Sequence, residues 1–238
     1  YLNNETLREK RHLNAQINVL LFTVLLLYSS LVTSGDNDLT KSITLDYENR
    51  LKAIFEDFHA HPELSLAEFE TARKISAALK NHGFKVTENV GGTGVVALLE
   101  NGKGPLVMMR ADMDGLPLEE KTDLPYASKD KQLDPVTGNI FPVMHACGHD
   151  VHITALIGTA KQMVDLKSEW SGTLMLIAQP AEERVLGARN MMNDNLWERF
   201  GKPDYALAFH VSSMLPSGIV NVVDGSPYAG ADTVDIYV

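Results

Sequence analysis

With a single cysteine, Cys147, among 238 residues, the chain has no internal partner for a disulfide. A small stapled scaffold and a two-thiol redox enzyme are therefore both excluded. Positive charge is scarce as well. Lys and Arg number 21 against 31 Asp and Glu, a formal net charge of −10. No Lys/Arg cluster offers the phosphate-neutralising stripe that nucleic acid or an anionic membrane surface requires, so no nucleic-acid partner is expected. Fixed-period repeats and low-complexity tracts are missing too, which removes solenoids and fibres. Only one apolar run is long. Arg8, Lys10 and Arg11 precede an uncharged stretch from Leu13 to Gly35 whose centre is VLLFTVLLLYSSLV, residues 19–32. A basic flank, an apolar middle and small residues at Thr33, Ser34 and Gly35 read as a secretory signal peptide over 1–35; the same run is long enough for a single membrane anchor. On either reading the rest of the chain is expected to be exported, periplasmic or secreted, where an unpaired Cys147 should be buried or bound to metal.

What is present suits one α/β domain. Hydrophobic residues make up 45% and charged residues 22%, an ordinary globular balance, and the length can hold one sizeable core. Leu45, Leu51, Ile54, Phe55 and Phe58 recur at helical spacing up to His61-Pro62, where a helix must stop. A second helix is expected from about Leu66 to Asn81, closed by His82-Gly83. The runs FKVTENV (84–90), GVVALLEN (94–101) and LVMMRADMD (106–114) read as strands between Gly-Gly, Asn-Gly and Gly-Pro turn signals. SKDKQLDPVTGN (128–139) reads as a polar loop. A helix with the apolar stripe Ile153, Leu156, Ile157, Ala160, Met163 and Val164 begins near Asp150, whose carboxylate suits a helix N-terminus. Strand TLMLIAQ (173–179), the tetrapeptide PAEE, a helix from about Ala188 to Arg199, strand YALAFHV (205–211) and a last strand DTVDIYV (232–238) complete the order. Such alternation argues for a layered α/β fold with a mixed, largely parallel sheet.

In open α/β sheets, sites form beyond the carboxyl ends of strands. Asp112 and Asp114, Glu182 and Glu183, and His210 stand at such ends, while Cys147 and His149 share a loop-to-helix junction in HACGHDVH, residues 145–152. Thiolate, imidazole and carboxylate together are donors that Zn²⁺ or Mn²⁺ accepts. Gly148 lets the chain turn so that Cys147 and His149 converge. Singly, each residue has a plainer reading: Cys147 and His149 as packing, the glutamates as a solvated helix start, Asp112 and Asp114 as turn caps or partners of Arg110. The two aspartates have a second reading, in which they orient a metal ligand. His210, inside an apolar run, is expected to be paired. A cysteine nucleophile with His149 as its base also stays open, although it leaves the glutamates and His210 without a role.

Four ordered segments, RADMDGLPLEE (110–120), MHACGHDVH (144–152), QPAEE (179–183) and HVSSMLPSG (210–218), resemble the metal-dependent amidohydrolases that cleave N-acyl amino acids. That group includes hippurate hydrolases, bacterial aminoacylases, acetyl-diaminopimelate deacetylases and plant auxin-conjugate hydrolases. HPELSLAEFET (61–71) is similar to its N-terminal helix pair, and the resemblance runs from about Asp46 to Val238. It implies a three-layer, zinc-peptidase-like α/β catalytic domain over 45–224, then the first strand of an α+β lid over 225–238. The rest of the lid, the returning half of the catalytic domain and a last histidine ligand are expected beyond Val238. Two divalent ions per subunit are implied, Mn or Zn before Co or Ni, held by Cys147, His149, Glu183 and His210. Glu182 is implied as the general base toward the attacking water. His145 and His152 are expected near the metals but not on them. The implied activity is exported hydrolysis of N-acyl amino acids or related small amides, with homodimerisation through the lid. A dipeptidase or carboxypeptidase using the same metals is the rival, and a non-catalytic metal-binding remnant is the alternative of another class. Two departures stand out: Arg184 where relatives often carry glycine, and a longer segment 128–143 placed to shape the substrate pocket.

Overall fold

A computed structural model describes residues 38–222, 224 and 225 of the chain. The segment read as signal or anchor, 1–35, and the strand read as the start of a lid, 232–238, lie outside the described residues. Among the described residues no helix is long and apolar enough to cross a membrane.

Helix α1 (residues 38–46) passes through one π-helical turn, Tyr47–Leu51, into α2 (Lys52–Ala60). The helix stops at His61, as Pro62 requires. Helix α3 (Phe69–Asn81) starts three residues later than its apolar pattern suggests. Leu66 sits at φ 73, a left-handed conformation that breaks the helical path, and the first helical bond of α3 is Ala72 N–H to Glu68 O.

Among the described residues, five strands make one sheet: β1 (Lys85–Val90), β2 (Gly94–Asn101), β3 (Leu106–Asp112), β6 (Gly172–Gln179) and β7 (Tyr205–Ala208), in the order β1-β2-β6-β3-β7. The β1–β2 and β2–β6 pairs are antiparallel, whereas β3 runs parallel to both β6 and β7. The sheet is thus mixed, with its parallel part confined to the three strands that end at the candidate site. β6 alternates its buried side chains between two cores. Leu174, Leu176 and Ala178 pack with Phe58 of α2, Ile75 and Leu79 of α3, and Ile153 and Leu156 of α4 (His149–Asp165). Met175 and Ile177 face the other way, onto Met191 of α5 (Gly187–Asn193) and Leu196 of α6 (Leu196–Phe200). Helices on both faces give three layers, and each fully buried Leu, Ile or Met contributes about 1.5–3 kcal/mol.

Two expectations change. The single helix over 188–199 is two short ones, because Asn195 takes φ 57 between α5 and α6. The segment 128–139 is not a plain loop: β4 (Lys131–Leu133) pairs antiparallel with β5 (Ile140–Pro142). The turn between them is organised by Asp134, whose carboxylate accepts from Val136 N–H, Thr137 N–H and the Thr137 hydroxyl.

Candidate metal centre

Because β3, β6 and β7 are parallel, their carboxyl ends share one edge of the sheet. β3 ends on Asp112, β6 on Gln179 just before the glutamate pair, and β7 two residues before His210. The N-terminus of α4 meets this edge and brings Cys147 and His149. Gly148 makes that approach possible twice over. Its φ is 82, and a Cβ there would lie 2.3 Å from Val211 Cγ2, so a larger residue would push the chain beside His210 away.

The glutamates sit on a tight, closed loop. Ala181 and Val185 both take left-handed conformations, φ 45 and 55. Leu186 and Gly187 donate their N–H groups to Ala181 O, each at 3.1 Å, and a Cβ on Gly187 would lie 1.5 Å from Pro180 O. Glycine is therefore obligatory where the loop closes. Asp114 ties this loop to α4. Its carboxylate accepts Glu182 N–H and Glu183 N–H, both at 3.1 Å, and the Ser65 hydroxyl at 2.5 Å. Its carbonyl oxygen lies 2.8 Å from His149 Nδ1. A carbonyl can only accept, so His149 carries its proton on Nδ1 and presents Nε2 as an acceptor, the arrangement a metal-ligating histidine needs. Burial alone would raise the Asp114 carboxyl, but hydrogen bonds from His149, Ser65 and the Glu183 amide outweigh it and hold it below the usual range.

His149 Nε2 lies 3.8 Å from both Glu182 Oε2 and Glu183 Oε1, and Cys147 Sγ lies 3.4 Å from His210 Nε2. Among the described residues, Cys147, His149 and His210 form one group able to hold an ion, and His149, Glu182 and Glu183 another. His149 Nε2 and Glu183 Oε1 are buried without a hydrogen-bond partner among the described residues. Orphaned acceptors of this kind cost free energy unless something fills the space between them. Burial and the neighbouring Asp114 and Glu182 charges raise the Glu183 carboxyl, although His149 opposes them. A divalent cation would satisfy both orphans and offset this negative field, so the residues present fit such an ion. The reactive-thiol reading fares worse. Burial, then the charges of Glu183, Glu182 and Asp112, push the Cys147 thiol up to about 12. With carboxylates around it, the group is no thiolate nucleophile on its own.

The other sequence candidates fall around this core. Asp112 takes the plainer role weighed for it, as partner of Arg110, which donates to one carboxylate oxygen, while His152 Nδ1 donates to the other. Burial would raise Asp112, yet the His152 hydrogen bond and the charges of His149 and Arg110 bring it to about 2. His152 Nε2 accepts Val211 N–H at 3.1 Å, so both of its nitrogens are engaged. His145 is buried, neither nitrogen has a partner, and burial drops its pKa to about 4. The apolar run around His210 does not bury it: among the described residues β7 ends at Ala208 and its four residues are all exposed, and the pairing expected of His210 is with Cys147 Sγ and its own neighbour Val211 O. Arg184 donates to Asp134 Oδ1 at 2.8 Å and so joins the β4–β5 hairpin to the residue after Glu183. The sequence reading missed His59, which bridges Asp150 (2.6 Å) and Glu120 (3.0 Å), and Ser65 beneath Asp114. No local pattern flags either, since each acts on a residue far along the chain.

Residues 108–233 match the family model described as Peptidase family M20/M25/M40. A hippurate hydrolase of Campylobacter jejuni is 41% identical over 167 residues, covering 70% of this chain and 40% of the relative. A thermostable carboxypeptidase of Saccharolobus solfataricus is 38% identical over 202 residues, covering 83% of this chain and 48% of the relative. Among solved structures, the YxeP protein of Bacillus subtilis, a dinuclear metal binding peptidase from the M20 family, superimposes with a TM-score of 0.62. It is 36% identical, over 71% of this chain and 44% of that one. The chain spans less than half the length of these relatives.

Proposed function

This chain belongs to peptidase family M20/M25/M40, and from that premise we propose that the protein is a metal-dependent amidohydrolase of N-acyl amino acids or related small amides. The observation that carries this reading is the orphaned pair His149 Nε2 and Glu183 Oε1 with a second carboxylate, Glu182, alongside. Cys147, His149, Glu183 and His210 would hold two divalent ions, Mn or Zn by donor chemistry. Ions bound there supply Lewis-acid polarisation of the amide carbonyl and a water that loses its proton near neutral pH. The protein residues do the rest. Asp114 fixes the Glu182 amide, while the Glu182 side chain stays 38% exposed, facing the open side of the centre. From that position Glu182 takes the proton of the attacking water and returns it to the leaving nitrogen, so one water is consumed and one C–N bond is broken.

Glu182→Gln keeps the shape and removes the proton acceptor. Turnover should fall about 10²–10⁴-fold with bound metal unchanged. Turnover within a few-fold of wild type would sink the assignment. The hippurate hydrolase relative favours acyl amino acids, and the carboxypeptidase relative supports the rival substrate class. Chelator-sensitive cleavage of N-benzoyl and N-acetyl amino acids, compared with dipeptides, separates them; bound metal with no turnover on either marks a remnant. We also place the protein in exported space, on Arg8, Lys10, Arg11 and the apolar run that follows; recovery of the intact protein from the cytosol would overturn this. Homodimerisation stays a part of the proposal, read by sedimentation.

A further inference from the structure

A second buried carboxylate reaches the loop that carries the glutamate pair. Glu68, at the N-cap of α3, has 0% exposure and no ion-pair partner among the described residues. One of its oxygens accepts the Ala181 N–H at 2.7 Å and the other accepts the Thr93 hydroxyl at 2.5 Å. Asp114 accepts the next two amides. Three consecutive N–H groups, those of Ala181, Glu182 and Glu183, therefore end on two buried carboxylates. Both carboxylates are tied to one turn, since Ser65 donates to Asp114 and Glu68 lies three residues on.

Ala181 is the residue that most needs holding. It is fully buried at φ 45, a conformation that costs an alanine about 1–2 kcal/mol and persists only where the surroundings enforce it. Its carbonyl closes the loop onto Leu186 and Gly187, and its amide has Glu68 alone. For packing, a buried carboxylate without a cation is a poor choice: desolvation raises its pKa, and a neutral side chain would avoid the cost. Charge is useful at this place because charge-assisted hydrogen bonds are roughly twice as strong as neutral ones.

We propose that Glu68 is a positioning residue for Glu182 and Glu183, holding Ala181 in its left-handed conformation and so setting the directions in which the next two side chains leave the backbone. The inference rests on the reading of Glu182 as base and Glu183 as ligand. Its signature is selective. Proton transfer and metal affinity depend on those directions, whereas substrate affinity depends on them little.

The test uses the intact protein with Glu68→Ala and Glu68→Gln. Gln keeps an oxygen for the Ala181 amide, and its NH₂ can donate to the Thr93 hydroxyl. In the Ala variant, amide exchange of 180–187 relative to β6 should rise about tenfold or more. Zinc affinity by calorimetry and kcat should each fall about 10–100-fold, with KM within about twofold. Gln keeps the acceptor without the charge, so it should restore each readout partway, between Ala and wild type. Unchanged loop exchange, a rise shared equally by β6, or a Gln variant no better than Ala would each overturn the proposal. If the Ala variant does not fold, Glu68→Asp, one methylene shorter, replaces it with the same criteria. Should Glu182→Gln stay active while Glu68→Ala still loosens 180–187 and weakens zinc, the base assignment fails and the clamp stands.

Discussion

His149 and His210, whose ring centroids are 6.2 Å apart, are held in opposite ways. His149 is fully buried on α4, its tautomer set by Asp114 O, with the Glu182 and Glu183 amides held by the same aspartate. Among the described residues His210 is exposed beyond β7, and its Nδ1 lies 2.6 Å from the carbonyl oxygen of its own neighbour Val211. One side of the centre is thus organised by protein alone. On the other, fewer packed groups among the described residues oppose local opening. An ion held as proposed would spend little binding energy on orienting His149 and Glu183 and more on fixing Cys147 and His210.

The comparison breaks most severely at Asp114. Asp114→Ala strips the acceptor from two loop amides and the Ser65 hydroxyl at once. Stability should drop about 3–5 kcal/mol, as for a broken buried charge network, measurable by urea denaturation. A loss below about 1 kcal/mol would mean that the buried side is not organised as described. Metal loading comes next. At a hundredfold excess over Kd it should add about 2.7 kcal/mol, and the gain in exchange protection should be larger over 205–211 than over 149–157. Equal gains would erase the distinction between the two sides.

The smallest effect concerns His59, which braces the start of α4 from behind. Burial lowers its pKa, but hydrogen bonds and charge from Glu120 and Asp150 outweigh that, and the net shift is upward. For a raised histidine, the stabilisation is complete below the ordinary value near pH 6.5. It is lost as pH rises through the folded-state value. His59→Gln should therefore flatten the decline in stability above about pH 6.5 while leaving His210-side exchange unchanged. A wild-type slope retained in the variant would assign the decline to another group.

Asp112, Asp114, Glu182, Glu183 and His210 stand out as candidates in sequence because they sit in short polar breaks after apolar strands, where idle charge is costly, whereas the division into ligands and base comes from the family resemblance. The strands themselves, and the caps at His61-Pro62 and Gly83, follow from turn chemistry and periodicity. What resisted reading is long-range. Glu68 looks like an ordinary helix-start acid until Ala181, far along the chain, is brought against it. Leu66 and Asn195 break helical runs through left-handed backbone that no apolar pattern reveals. His210 shows the reverse limit: its apolar neighbours in sequence say nothing of burial, since among the described residues Tyr205 and Leu207 are exposed as well. Strand order was equally hidden. β2 and β3 are consecutive and joined by an Asn-Gly turn, as a hairpin would be, yet they are not neighbours in the sheet.

That last point bears on how the chain is made. β2 and β3 leave the ribosome well before β6, which begins only at Gly172, and native pairing requires a gap of about two strand spacings, roughly 9.6 Å, to stay open between them. A nascent chain therefore carries two unsatisfied inner edges through much of its synthesis. Such edges recruit other strands, and late, non-local insertion is slow. The loop that bears the glutamates directly follows β6, so Glu182 and Glu183 reach the candidate site in the same event that closes these edges, before β7 brings His210.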